Sequence, residues 1–166
     1  MLLSGPVLAD DHVVLIDEDV DFSAFRTFTI GTVTVTSKHP ALNSPVVPRV
    51  LREAANAVLM NRGLAPVASQ PALIVDSSVR SVDYGIDRMG RPVEQGVSRG
   101  RGRRQPNPNQ PDFTEGTLVI DVIRADTKAL VWRGVYHDTD PDASRVAAAL
   151  PEHVKTLLSR FPRLRK

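Results

Sequence analysis

The strongest constraint on the fold is a pair of alternating apolar runs joined by five polar residues. The runs are Thr117–Ile123 and Ala129–Tyr136, and Arg124–Lys128 connects them. Because side chains alternate between the two faces of a strand, this pattern predicts an antiparallel hairpin with one apolar face. The side chains expected on that core face are Leu118, Ile120, Val122, Leu130, Trp132 and Tyr136. The sequence therefore predicts a sheet that contains this hairpin.

Four further segments have the composition of strands. They are His12–Asp17, Phe22–Ile30, Thr32–Thr36 and Ala72–Tyr84. The first is a short apolar run bounded by acidic residues. In the other three, β-branched or apolar residues recur on one face among polar ones, as is typical of half-buried strands. In the last of them we expect a bulge near Ser77–Ser78.

Two segments have apolar residues at helical spacing. The first begins near Pro48, whose missing N–H is harmless in a first turn, and Gly63 is placed to end it in the left-handed conformation. The second begins with Asp140 as its N-cap and stops at Pro162. Pro151 lies inside the second segment and is expected to kink or split the helix, because proline lacks an N–H donor.

The order of these elements is strands, helix, strand, long loop, hairpin and helix. This order predicts an α+β fold, with a mostly antiparallel sheet and two helices packed on one face. The sequence has 166 residues, of which 42% are hydrophobic, and this is enough for one ordinary core. We therefore expect a single domain over residues 12–166, preceded by a separate segment at residues 1–11.

Residues 85–111 interrupt the regular pattern with a long loop rich in glycine, proline and arginine. A loop of this length is usually either functional or disordered. Its four central arginines, called here the arginine quartet, are Arg99, Arg101, Arg103 and Arg104. Guanidinium groups bind phosphates, so the quartet is a candidate anion-binding site, with a solvated loop as the alternative. No aromatic residue lies between Tyr84 and Phe113 to stack on a base, so specific nucleic-acid binding is not expected.

Residue types that carry catalysis or bind metals are sparse and scattered. The chain has no cysteine, which excludes disulfides, thiol nucleophiles, iron–sulfur clusters and zinc ribbons. Its histidines have no paired spacing; they are His12, His39, His137 and His153. Asp138, Asp140 and Asp142 resemble the opening of a calcium loop, but its glycine and closing glutamate are missing, and helix capping is the simpler role. We therefore expect no metal, no cofactor and no enzymatic activity.

The first nine residues, Met1–Ala9, are small and apolar and are followed by acidic residues. Val7–Ala9 fits the small-x-small rule for signal-peptidase cleavage, so the segment resembles the end of an export signal, with a frayed terminus as the alternative. Leu3–Gly5 fits the residues that precede a lipoprotein cysteine, but Pro6 stands in the place of that cysteine. No run approaches the roughly 18 apolar residues of a membrane span, so no transmembrane segment is expected.

Five short motifs occur in an order that is similar to a known family. They are Asp21–Phe28, Ala72–Asp76, Gly116–Asp121, Leu130–Gly134 and Arg160–Pro162. In this order, from about Val13 to Pro162, the chain resembles the bacterial envelope family of domain of unknown function 4136. The resemblance implies an exported α+β domain that faces the periplasm, attached as a lipoprotein in many members, with no established catalytic residues.

Four motif residues have structural interpretations. They are Asp121, Trp132, Arg133 and Gly134. Trp132 is expected in the core, where its N–H needs one partner. Gly134 either allows a close approach or marks a bulge, and Arg133 is expected to pair with Asp121 across the hairpin.

The predicted function is that of a non-enzymatic cell-envelope domain, periplasmic or associated with the outer membrane. It is expected to bind or scaffold another envelope component, either a protein or an anionic component. The alternative is an anion-binding protein that contacts nucleic acid or anionic lipid through the arginine quartet.

Overall fold

The fold is a mixed β-sheet with two helices on one of its faces. The computed structural model describes residues 11–86, 92–94, 113–140 and 142–164. The strands are β1 (Asp11–Ile16), β2 (Thr27–Thr36), β3 (Ala65–Pro66), β4 (Leu73–Ile86), β5 (Pro92–Glu94), β6 (Phe113–Arg124) and β7 (Leu130–Asp138); the helices are α1 (Val46–Asn61) and α2 (Ala143–Leu158). The strand order is β1-β7-β6-β4-β2-β3, and β5 pairs with β4. The predicted α+β class is confirmed.

The sheet is antiparallel except at β2, which runs parallel to both β4 and β3. The chain leaves β2, forms α1 across one face and returns as β4 in the same direction. A helical crossover of this kind is the connection that parallel strands require. The prediction of a mostly antiparallel sheet is therefore correct, with one parallel region that the crossover explains.

The predicted hairpin is formed by β6 and β7, with one bulge that changes its apolar face. Val122 pairs with Trp132, but the next residue of β6, Ile123, pairs with Leu130. Val131 is the extra residue, and it is buried together with Trp132. Leu130 is 43% exposed, so its predicted core position is wrong, because the bulge reverses the alternation at this point.

The second bulge lies in β2 and not in β4. β4 pairs with β6 without interruption from Leu73 to Tyr84, so the bulge predicted near Ser77–Ser78 is wrong. The irregularity lies in β2 between Ile30 and Val33. There a Cβ on Gly31 would lie only 2.2 Å from an Asp76 carboxylate oxygen, so glycine permits this close approach.

The helix boundaries differ slightly from those predicted. α1 begins two residues before Pro48, and Gly63 follows it with a φ of +99°, the left-handed conformation expected at its end. The N-cap of α2 is Asp142 and not Asp140, and its carboxylate accepts the Ser144 N–H at 2.9 Å. α2 is continuous through Pro151, so of the two predicted effects, a kink or a split, the split does not occur.

The long loop predicted over residues 85–111 is shorter where the structure describes it. β4 continues to Ile86, and Pro92–Glu94 returns along it as β5. Residues 87–91 and 95–112 lie outside the described residues, and so does the segment 1–10. No helix among the described residues is long and apolar enough to span a membrane.

The core lies between the helices and one face of the sheet. α1 and α2 pack against each other, α1 also covers β2, and α2 covers β6 and β7. The largest side chains that are fully buried in this layer include Trp132, Tyr136, Phe28, Phe161, Leu51 and Leu118. The opposite face of the sheet carries no covering element among the described residues, and it is where the candidate site lies.

Candidate binding face

The uncovered face of the sheet, called here the open face, combines polar and aliphatic side chains in ordered rows. Its central residues are Val13 and Leu15 on β1, Arg133 and Val135 on β7, Val119 and Asp121 on β6, and Asp76 and Ser78 on β4. Strand register places Leu15, Arg133, Asp121 and Asp76 side by side in one row. The neighbouring row runs from Val13 through aliphatic residues to a serine, so its β1 side is apolar.

An ion pair fixes the centre of the open face. The Arg133 guanidinium donates from Nε to Asp121 Oδ1 at 2.6 Å and from a terminal nitrogen to Oδ2 at 2.7 Å. The hydrogen bonds to Asp121 raise the pKa of Arg133 above its ordinary value, so the guanidinium stays charged. Since the two side chains are 40% and 22% exposed, the pair is accessible from solvent and its stabilising effect is modest. The hairpin register placed these two residues opposite each other, as the sequence suggested.

A second carboxylate lies next to this pair. Asp76 is directly opposite Asp121 in the β4–β6 register. Its carboxylate accepts the Thr32 N–H of the β2 bulge at 2.7 Å. Each carboxylate therefore has its own donor: Asp121 is paired with the charged guanidinium, and Asp76 is held by a neutral backbone N–H. This arrangement orders the polar centre of the open face.

The apolar part of the open face lies toward β1. Leu15 is 58% exposed, Val13 is 46% exposed, and Leu130 adds a third exposed aliphatic side chain at 43%. Isolated exposed aliphatic residues are common, but these three occur on adjacent strands next to a sheet edge. The three residues therefore form an exposed apolar group beside the fixed Arg133–Asp121 pair.

The other two motif residues belong to the core and not to the open face. The Trp132 ring is 1% exposed and contacts Phe161 edge-to-face at 5.8 Å between ring centroids. Its Nε1 has no hydrogen-bond partner among the described residues, contrary to the expectation that this N–H is satisfied. Gly134 leaves room for the same ring, because a Cβ there would lie 2.6 Å from Trp132 Cη2.

A buried polar cluster at one end of the sheet was not predicted from the sequence. His153 Nε2 lies 3.0 Å from Asp138 Oδ2, with side-chain exposures of 14% and 11%. The His153 ring stacks on Tyr136 at 3.6 Å, and the His12 ring meets the other side of the cluster edge-on at 4.4 Å from Tyr136. The alternation of β7 could have indicated part of it, since Asp138 continues the core-facing set of Trp132 and Tyr136.

This cluster has the features of a structural link between β7 and α2. Asp138 Oδ1 also accepts the Asp140 N–H at 2.8 Å, so both carboxylate oxygens are used. The adjoining cavity, lined by residues including Gly116, Val146 and Leu150, has a volume of about 10 Å³, room for one water molecule. Within the described ranges no three histidine or acidic residues are placed to hold a metal ion.

The three aspartates whose spacing resembles the opening of a calcium loop are each engaged in a different contact. Asp138 binds His153, Asp140 accepts the Asp142 N–H at 2.9 Å, and Asp142 caps α2. The arginine quartet lies outside the described residues, so the anion-binding site stays a prediction.

Comparisons with known proteins agree with this fold. A family model described as domain of unknown function (DUF4136) matches residues 13–163. No curated protein sequence gives a significant match. Among solved structures, a DUF4136 family protein from Bacteroides thetaiotaomicron is similar, with 13% identity, a TM-score of 0.57 and coverage of 93% of this chain and 97% of that one.

Two other solved structures share the architecture. A PDZ domain protein from Parabacteroides distasonis has 14% identity and a TM-score of 0.61; the match covers 93% of this chain, which spans 36% of that protein. The PelC dodecamer from Paraburkholderia phytofirmans has 13% identity and a TM-score of 0.50, with coverage of 95% and 99%. Identities at this level establish a shared fold and nothing more.

Proposed function

Because the chain belongs to the DUF4136 family, we propose that it is a non-enzymatic domain of the cell envelope that binds another envelope protein through its open face. The observation that carries the proposal is the group of exposed aliphatic side chains at Leu15, Val13 and Leu130, next to the fixed Arg133–Asp121 pair. Covering a water-exposed aliphatic patch with a complementary protein surface lowers the free energy, because apolar side chains leave water.

The non-enzymatic part rests on how the titratable groups are used. On the open face, Asp121 and Asp76 are each held by a donor from the protein. In the buried cluster, His153 and Asp138 bind each other beside a cavity that is too small for a substrate. A catalytic pair needs a substrate-sized space within hydrogen-bond reach, and the His153–Asp138 pair adjoins only the small cavity.

The envelope part rests on the location that the family resemblance implies. It is tested by separating the cellular compartments of the native host and sequencing the N-terminus of the mature protein. We expect a processed protein in the envelope fraction. A cytoplasmic protein that retains Met1 contradicts this part of the proposal.

The binding part is tested by photo-cross-linking in the native host. A benzoyl-phenylalanine is placed at Leu15 on the open face, and a matched variant carries it at Met60, which is 50% exposed on α1. We expect one discrete adduct with an envelope protein from position 15, at least about ten times more abundant than from position 60. The absence of such an adduct, or equal yields from both positions, overturns the assignment of binding to the open face.

A further inference from the structure

The two edges of the sheet differ in how well they are protected from pairing with another strand. At one edge, β3 has two residues and ends with Pro66, which lacks an N–H, and the neighbouring β2 is interrupted by the bulge at Gly31. Short strands, proline and bulges are the devices that prevent edge pairing. At the other edge, β1 has no proline, glycine or bulge, and its one charged residue, Asp11, stands at its end, so His12–Ile16 is uncharged.

β1 presents a regular set of backbone groups outward. Among the described strands it pairs only with β7, in register from Asp11 to Ile16. The Asp17 N–H donates to Val131 O at 3.0 Å. Hydrogen-bonded pairs recur at every second residue of an antiparallel ladder, so the odd-numbered residues of β1 bond to β7. The N–H and C=O groups of His12, Val14 and Ile16 therefore point away from the sheet.

The side chains along this edge are apolar on both faces of the sheet. Val13 and Leu15 are exposed on the open face, and Ile16, on the helix side, is 42% exposed. A strand that paired with β1 would contact aliphatic side chains of β1 on both faces of the sheet. Edge strands that remain solvated usually avoid this combination, because it is the template for pairing with another chain.

The charge around β1 identifies the chemistry of the partner. Acidic residues stand at both ends of the strand, and no basic residue occurs before Arg26. The acidic residues are Asp10, Asp11, Asp17, Glu18, Asp19 and Asp21. A second copy of this chain, paired through its own β1, would bring like charges together at both ends in either orientation. A segment flanked by lysine or arginine would instead place opposite charges there.

We propose that the partner of the open face adds to β1 as an extra strand, through an extended segment of alternating aliphatic residues flanked by Lys or Arg. This inference rests on the proposed function and specifies how the partner binds. Main-chain hydrogen bonds to His12, Val14 and Ile16 provide the pairing. The aliphatic side chains of β1 and its acidic ends select the segment.

The test adds second substitutions to the variant that cross-links from position 15. Val14→Pro removes an outward N–H and leaves the β1–β7 hydrogen bonds in place, as proline permits on the solvent side of an edge strand. We expect the adduct yield to fall at least about tenfold. The combination of Asp17→Lys and Asp19→Lys should also lower the adduct yield about tenfold. Glu53→Lys, a charge reversal at an exposed position of α1, should leave the adduct yield unchanged.

A second measurement covers the case in which Val14→Pro fails to fold. A synthetic peptide of the cross-linked segment is mixed with the wild-type protein, and amide hydrogen exchange is followed. Slower exchange at His12, Val14 and Ile16, with no change along β3, supports strand addition.

The outcomes separate the two proposals. An adduct that survives Val14→Pro, or a peptide that leaves these three amides unprotected, overturns strand addition while the open face stays a binding surface. An adduct with a second copy of the chain, or with a segment that lacks basic flanks, overturns the partner chemistry. If the variant that carries benzoyl-phenylalanine at position 15, without any second substitution, gives no adduct, the proposed function and this inference are both overturned.

Discussion

Replacing Gly134 by alanine tests whether the Trp132 ring is fixed in the position that closes the core beneath β7. The added Cβ would lie 2.6 Å from Trp132 Cη2, 3.1 Å from Cζ3 and 3.3 Å from Leu157 Cδ2. The ring cannot move away easily, because it is 1% exposed and packs edge-to-face on Phe161. Either the ring or the strand must shift to accept one methyl group.

The expected loss of stability follows from overpacking. Inserting a methyl group into a filled core destabilises a protein by about 1–3 kcal/mol. For a chain of this size each kcal/mol lowers the melting temperature by about 2–4 °C, so Gly134→Ala should lower it by about 2–12 °C. Gly116→Ala is the control, because its Cβ meets only a methyl group of Val146 at 3.0 Å and then nothing closer than 3.9 Å. It should cost no more than about 1 kcal/mol.

A double-mutant cycle assigns the loss to the ring. Trp132→Phe removes the ring atoms that the new methyl group would meet, so the double variant should be more stable than the sum of the single variants by about 0.5–3 kcal/mol. The free energies of unfolding are measured by urea denaturation of the four proteins. If Gly134→Ala changes stability by less than about 0.5 kcal/mol, or if the two changes are additive, the close packing of Trp132 on Gly134 is refuted.

Three further predictions address other parts of the molecule. Asp138→Ala leaves the buried His153 nitrogen without its partner and should lower the free energy of unfolding, measured by urea denaturation, by about 1–3 kcal/mol. Adding His153→Phe, which keeps a ring stacked on Tyr136, should recover part of the loss. A purely additive result contradicts the buried link. Hydrogen bonds from Ser23 hold the pKa of Asp21 below its ordinary value, so its stabilising effect is complete above about pH 4 and is lost as pH falls through the lower folded-state pKa. Unfolding free energies of Asp21→Ala between pH 2 and 6 should therefore depend less on pH than those of the wild type, and an identical slope rejects this. Replacing the arginine quartet with alanine should abolish salt-dependent sedimentation with phosphatidylglycerol vesicles, and unchanged binding rejects the anion-binding prediction.

Sequence reasoning succeeded where a single rule decided the structure. Alternation predicted the β6–β7 hairpin, and its register placed Arg133 opposite Asp121. The rule became ambiguous in the apolar run Leu130–Trp132, since three consecutive apolar residues fit either register around a bulge. The N-cap of α2 was ambiguous for a similar reason, because Asp140 and Asp142 have the same capping chemistry. Asp142 is the cap because the first helical turn begins at Ala143.

The parts of the site that depend on docking between elements were beyond the sequence. His153 and Asp138 meet only because α2 folds back across the end of β7. The bulge in β2 depends on the Asp76 carboxylate, which belongs to a different strand. The parallel pairing of β2 with β4 could have been predicted, because a strand–helix–strand order within one sheet usually signals a crossover.

The pairing of β1 with β7 joins segments about 120 residues apart in the chain. A chain that emerges from a ribosome or a translocation channel delivers β1 first and its strand partner in the described sheet almost last. Through most of synthesis, the apolar segment His12–Ile16 has no β7 to pair with, and contacts of such long separation form late in folding. Aliphatic side chains that stay uncovered for this long are prone to non-native association while the chain is being made. The strand that waits for its partner during synthesis is therefore also the strand that forms an edge of the described sheet.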